Sequence, residues 1–294
     1  ADRVVVLAAV AQRCCALQIA SAALRGDRDF ILTVVTQEGY ALEYASAAFQ
    51  NDRDVVLAAV TQNGLALHYA SAALQADRDV VLAAVAQKGL ALQYASAALQ
   101  ADRDVVLIAM QNGYRLVLRN ASAALQADRD VVLAAVAQDG WALQYASTAL
   151  KADRDVLLAA LQKGFVLDLD DASTALKNDR DVVLAAVAQN GFALEYASAA
   201  FQNDRDVVLA AVTQEGYALD YASAALKADR DVVLAAVAQN GYDALKCAST
   251  ALKNDRDVVL AAVAQNGHAL VYASSALKND RDVVLAAVEQ DCDA

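Results

Sequence analysis

Carboxylates are the residues of this chain best spaced to do chemistry. An Asp-Arg-Asp triplet opens at Asp27, Asp52, Asp77, Asp102, Asp128, Asp153, Asp179, Asp204, Asp229, Asp255 and Asp280, and a shortened Asp-Arg-Val opens at Asp2. Two carboxylates on alternate residues are calcium ligands in outline, but calcium takes roughly six to eight oxygens from a turn wrapped around the ion. Each triplet supplies two carboxylates with an arginine between them that competes for the same oxygens, so no metal is expected. Cys14, Cys15, Cys247 and Cys292 form no C-x-x-C pair, and His68 and His268 lie far apart, which is not the spacing of a zinc site. This cysteine usage favours a reducing intracellular compartment. Outside the triplets the one acidic cluster is Asp168, Asp170 and Asp171 in V-L-D-L-D-D. Catalysis needs a set of acid, base or nucleophile that occurs once and converges on a point. No such set is legible, and the expectation is a protein that is not an enzyme and uses no cofactor.

The triplets recur every 25 or 26 residues through all 294 residues. A fixed period in this range marks a solenoid, whose units bury their apolar faces only by stacking on their neighbours. The unit from Asp52 to Ala76 reads D-R-D-V-V-L-A-A-V-T-Q-N-G-L-A-L-H-Y-A-S-A-A-L-Q-A. Its first half predicts a helix with Asp52 as N-cap and Asp54 at the positive end of the dipole. Gly64 is expected to close that helix in the left-handed conformation, and ten of the twelve units have this glycine, Cys14 and Cys292 being the exceptions. A second helix follows, with Leu67, Ala70, Ser71 and Leu74 on one stripe, although Ser71 could instead cap a separate last turn. Val55 to Val60 are apolar on every side, which suits a helix sandwiched between the units before and after it. The chain has no proline, no linker and no change of composition. The fold class is therefore all-α: an α-solenoid of about twelve two-helix repeats forming a single continuous domain over residues 1–294. Because it begins within a motif and ends after a first helix, it is expected to be a segment of a longer protein.

These residues resemble the tandem helical repeats of the DUF4116 family, whose pattern is close to D-x-x-V-V-L-A-A-V-x-Q-N-G-x-A-L-x-x-A-S. Asp179 to Gly191 and Asp255 to Gly267 both read D-R-D-V-V-L-A-A-V-A-Q-N-G. The resemblance covers the whole chain and implies a repeat fold, but brings no activity and no catalytic residues with it. A more distant likeness is to the leucine-rich-variant repeats, which alternate an α-helix with a 3₁₀ turn, and it bears only on helix geometry.

Nearly all of the net charge of −12 resides in the triplets, where the arginine of one unit is expected to lie between carboxylates of the next. Nucleic acid is a poor partner for this balance, since phosphates demand a basic stripe. Val55 to Ala76 carries no formal charge, yet Gln62, Asn63, Gly64, His68 and Gln75 interrupt it, and no transmembrane segment is expected. Asn120-Ala121-Ser122 is formally a glycosylation sequon, but every unit has Ala-Ser there. Recognition is expected where the units differ. After the glycine runs a row of Cys15, Tyr40, Leu65, Leu90, Tyr114, Trp141, Phe165, Phe192, Tyr217, Tyr242 and His268, which reads either as a packing ladder or as a binding strip. A second row, from Gln18 and Glu43 through His68 to Lys246 and Val271, is polar and expected to face water.

Three units break the period. Those starting at Asp102 and Asp153 lose one residue from the first helix and gain two in the second, while that starting at Asp229 gains one. Such changes turn side chains by about 100° per residue and are expected to present Arg115, Arg119, Asp168, Asp170 and Asp171 in new directions. With Tyr40, Tyr114, Trp141, Phe165, Tyr217, Tyr242 and His268, these are the candidate partner-binding residues. The expected function is a non-catalytic scaffold or protein-protein interaction subunit of a larger assembly, in which the ends stack on neighbouring repeats or subunits. The alternatives are a structural spacer or filament element, and a regulatory repeat module attached to an enzyme outside this segment.

Overall fold

The computed structural model describes residues 3–113 and 116–290. Two compact units divide the chain, Ala1–Phe165 and Val166–Ala294. Among the described residues of the first, long α-helices run over Arg3–Val10, Arg28–Gln37, Arg53–Gln62, Arg78–Gln87, Arg103–Gln111, Arg129–Gln138 and Arg154–Gln162; in the second they run over Arg180–Gln189, Arg205–Gln214, Arg230–Gln239, Arg256–Gln265 and Arg281–Gln290. Consecutive long helices pack side by side within each unit. No described residue lies in a strand, and the all-α repeat fold stands as expected.

Each long helix starts for the reason its sequence states. Asp52 is extended, and its Oδ1 accepts the orphan N–H groups of Asp54 and Val55 at 3.0 and 3.2 Å. The helix stops for a different reason from the one expected. Asn63 is extended, at φ −146° and ψ 107°, and Gly64 opens the next element instead of closing this one. Among the described residues only Gly164 has a positive φ, at 82°. There the helix Arg154–Gln162 ends in paired bonds from Gly164 N–H to Leu161 O and from Phe165 N–H to Ala160 O, the Schellman closure. Elsewhere glycine serves close approach. A Cβ on Gly64 would collide with the carbonyl oxygen of Ala84 in the following repeat, and one on Gly216 would stand 2.7 Å from that of Ala236.

The second half of each unit is divided. Gly64–Tyr69 is a six-residue 3₁₀ helix, held by i→i+3 bonds such as Ala70 N–H to Leu67 O at 3.1 Å. Such runs are seldom this long. Here Ala66 and Leu67 are fully buried, so packing on the adjoining repeats holds the conformation. After the break at Ala70, Ser71 Oγ accepts from Leu74 N–H at 3.4 Å and so caps a separate last turn. The backbone N–H of Ser71 reaches back to Gln50 O of the preceding repeat at 2.8 Å. The single stripe through Leu67, Ala70, Ser71 and Leu74 is thus broken in two, and the alternation of α with 3₁₀ is the geometry that the likeness to leucine-rich-variant repeats implied.

The irregular units follow their residue counts. Arg103–Gln111 and Arg154–Gln162 have nine residues where their neighbours have ten. The added residue after Gly241 converts the 3₁₀ segment into a true α-helix, Gly241–Cys247, closed by Ala248 N–H on Ala244 O at 2.9 Å. The two deletion units diverge: one forms the α-helix Leu116–Asn120, the other only the 3₁₀ turn Leu169–Asp171.

Val55, Val56, Ala59 and Val60 are fully buried, as are their counterparts in the repeats on either side, so the core is a column of valines and leucines without a buried polar or charged residue among those described. Truncating one such leucine costs about 2 to 5 kcal/mol. A unit of this size cannot fold alone, and its stability is shared with its neighbours. No helix among the described residues is long and apolar enough to cross a membrane.

Candidate functional site

The triplets are committed to architecture. Arg28 reaches forward one repeat, placing Nε 2.6 Å from Asp52 Oδ2 and Nη2 2.6 Å from Asp54 Oδ2. Arg53 makes the same fork to Asp77 and Asp79 at 3.1 and 2.7 Å, and Arg256 to Asp280 and Asp282 at 3.3 and 2.6 Å. Asp52, Asp77 and Asp280 each therefore spend one oxygen on the helix cap and the other on the preceding arginine. The Arg28 guanidinium, together with the backbone N–H groups of Val55 and Asp54, holds the Asp52 carboxyl below the usual carboxylate range. At Asp77 the N–H of Val80 leads and Arg53 follows. Each exposed pair is worth under about 1 kcal/mol, so the ladder acts by repetition. Among the described residues no group of three or more His, Cys, Asp or Glu is arranged to hold a metal ion.

Neither Cys14 nor Cys247 has an activated thiol. Burial pushes the Cys247 thiol up to about 11, and the neighbouring Asp220 carboxylate adds to this. The Cys14 thiol is raised first by burial and then by the charges of Glu38, Cys15 and Glu43, against a lowering bond from the Cys15 backbone. Both lie away from the thiolate range of a nucleophile.

The row after the glycine divides between packing and exposure. Tyr40 is half-buried, its ring edge-on to Tyr69 with centroids 6.3 Å apart. Trp141 is 40% exposed and meets Phe165 edge-on at 5.3 Å. Phe192, 39% exposed, lies against half-buried Tyr217 at 6.3 Å. Tyr242 is half-buried and accepts from the Tyr272 hydroxyl at 2.8 Å, a bond that, with burial, pushes Tyr272 up to about 12. His268 is exposed. Tyr114 and Arg115 lie outside the described residues. The second row faces water, as expected: Gln18, Glu43, His68, Gln93, Gln144, Glu195, Asp220, Lys246 and Val271 are all exposed.

Among the residues of the irregular units, Arg119 is exposed at the end of the helix Leu116–Asn120. Asp168, Asp170 and Asp171 are exposed too; Asp168 Oδ1 caps its turn by accepting from Asp170 N–H at 3.1 Å. Lys177 Nζ donates to Asp170 O at 2.8 Å and lies 3.9 Å from its carboxylate. This acidic turn is a capped and partly paired surface feature.

Sequence reasoning missed a further aromatic column, the tyrosine that ends each six-residue 3₁₀ helix from Gly39–Tyr44 onward among the described residues. Tyr69 and Tyr94 flank His68, with centroids 4.9 and 4.6 Å from its ring, and they stand beside Tyr40 and Glu43 around a cleft of about 340 Å³. The recurring Tyr-Ala-Ser was the available signal, and Tyr69 and Tyr94 are half-buried. In the second unit, Lys246 Nζ lies 5.6 Å from the Tyr217 ring centroid, and the Tyr217 hydroxyl donates to Asp220 Oδ2 at 3.4 Å. The Asp220 charge, then burial, raises the Tyr217 phenol above its ordinary value.

No curated protein and no solved structure matches the chain. The family described as Domain of unknown function (DUF4116) matches it in overlapping tandem copies, at residues 2–50, 27–75, 77–126, 128–169, 164–202, 179–227, 204–253, 229–278 and 255–294. Most of these matches span two of the structural repeats, and the chain is a tandem-repeat member of the DUF4116 family.

Proposed function

We propose that these repeats are a non-catalytic interaction scaffold for protein partners. One observation carries the reading: side chains that recur from unit to unit are spent on caps, forks and core, while among the described residues that differ from unit to unit the second row is exposed throughout and the row after the glycine exposes Cys15, Trp141, Phe192 and His268. A surface that varies on an invariant frame is how solenoids recognise partners. Trp141 and Phe192 favour the same reading, because large rings left two-fifths exposed are the residues that anchor protein interfaces. The triplet carboxylates, occupied by caps and arginines, are poorly placed for acid–base work, which supports a role without turnover. The acidic balance favours partners with basic surfaces over nucleic acid.

The test is affinity capture followed by cross-linking and mass spectrometry, with the intact protein set against a Trp141→Ala/Phe192→Ala double variant of equal thermal stability. Cross-links concentrated on the two rows, and proteins lost by the variant, are the expected result. Equal capture by both forms, with cross-links spread evenly over the surface, would overturn the reading.

A further inference from the structure

We propose that the cleft bounded by Tyr40, Glu43, His68, Tyr69 and Tyr94 is a binding site for an organic ammonium group. The cleft has about 340 Å³ of space and is walled by the rings of Tyr40 and Tyr69, which meet edge-on at 80°, and by His68, edge-on to Tyr69 and tilted against Tyr94. Aromatic faces carry negative quadrupole density and attract a cation within about 6 Å of a ring centroid. Glu43 supplies a carboxylate at the rim. Its carboxylate lies beside the Tyr44 and Tyr69 hydroxyls, and among the described residues no cation stands within ion-pair distance of it. Rings, a carboxylate and room for a head group are the elements of an ammonium cage, whereas an anion would be repelled by Glu43.

The chain supplies its own precedent. Counting back from Ala-Ser, Tyr217, Asp220 and Lys246 in the second unit occupy the places of Tyr40, Glu43 and His68 in the first. The place of Tyr69 is taken there by Cys247, while one repeat earlier Glu195 lies beside the Tyr221 hydroxyl as Glu43 lies beside that of Tyr69. At Tyr217 the ammonium of Lys246 already rests over the ring, next to Asp220. The surface there is occupied by an internal lysine. In the first unit His68 stands in place of that lysine, on a 3₁₀ helix instead of an α-helix, and an ammonium from outside can take the lysine's place beside the ring and the carboxylate. A lysine side chain of a partner and a free quaternary amine share this chemistry. The first source deepens the scaffold reading and rests on it; the second stands without it.

The experiment is an NMR titration of the whole protein, following the ring signals of Tyr40, Tyr69 and Tyr94. The probes are choline, its neutral isostere dimethylbutanol, and the peptide acetyl-Gly-Gly-Lys-Gly-Gly-amide with a norleucine twin. Choline should shift these rings saturably, with the isostere about tenfold weaker, the margin expected of a cation against rings and a carboxylate. Glu43→Gln should weaken choline about tenfold, and His68→Lys should abolish its binding by installing the lysine that the second unit carries. Lys246→Gln should create a second choline site at Tyr217, a gain that no folding defect can mimic. Rings that do not shift, or an isostere that binds as well as choline, would overturn the site. If choline binds but the lysine peptide does not displace it, the source is a free amine, and the link to a protein partner fails while the site stands.

Discussion

The backbone N–H of Gly64 donates to Oε1 of Gln87, one repeat further on, at 2.7 Å, and the same pairing joins Gly39 to Gln62 at 2.8 Å and Gly241 to Gln265 at 2.7 Å. A residue that sequence logic assigns to ending a helix is therefore the point at which adjacent repeats touch most closely. The next carbonyl oxygen, on Ala84, occupies the space where a Cβ would lie.

Gly64→Ala and Gly164→Ala should then fail in different ways. At Gly64 the added methyl meets backbone that cannot swing aside, and a loss of about 2 to 3 kcal/mol is expected from overpacking. At Gly164 no atom lies within 4 Å of the added methyl, and the cost is the left-handed backbone alone, about 1 kcal/mol. Gly164→Asn should recover part of that loss, because asparagine tolerates the conformation, whereas Gly64→Asn should be worse than Gly64→Ala. Urea unfolding of the four variants decides the matter; equal losses for the two alanine variants would contradict it.

Acid should weaken the stack through its caps. The N–H groups of Val80, Val105, Val156, Val232 and Val283 lead in holding Asp77, Asp102, Asp153, Asp229 and Asp280 below the usual carboxylate range, and Arg28 leads at Asp52. A carboxyl whose folded pKa is depressed contributes stability that is present above its unfolded value, near 4, and is lost as pH falls through the folded one. The melting temperature is thus expected to be level from about pH 7 to pH 5 and to fall steadily below about pH 4. Thermal melts across this range check the sign, and a midpoint unchanged down to about pH 2.5 would show that the caps carry no net stability.

Cys247 should be slow to alkylate in the native protein. With its thiol pushed up to about 11, the thiolate fraction at pH 8 is about a hundredth of that of an ordinary thiol, since attack runs through the thiolate. Iodoacetamide labelling followed by peptide mass spectrometry should mark exposed Cys15 well before Cys247. Comparable rates at the two would mean that burial does not govern this thiol. Removing the Asp220 charge with Asp220→Asn should speed Cys247 modestly, because that charge ranks second to burial among the causes.

The repeat, its all-helical class, the aspartate caps and the arginine forks were legible in the sequence, because each depends on contacts local to a triplet or on one fixed period. Asp52 caps whatever helix follows it, and a spacing of 25 or 26 residues carries Arg28 to Asp52 and Asp54 in any regular stack. The role of Gly64 was not legible, since left-handed closure and close approach both select glycine, and only the position of the Ala84 carbonyl separates them. The division of the second helix stood as one of two readings, because Leu67 and Leu74 fit an α stripe while Ser71 could cap a separate last turn, and stacking on both sides decides it by holding Gly64–Tyr69 in the tighter 3₁₀ winding. The cleft at Glu43 depends on that winding as well. It gathers Tyr40 with His68 and Tyr69 from the following repeat and Tyr94 from the one after that, and a grouping across three repeats is settled by how the layers stack.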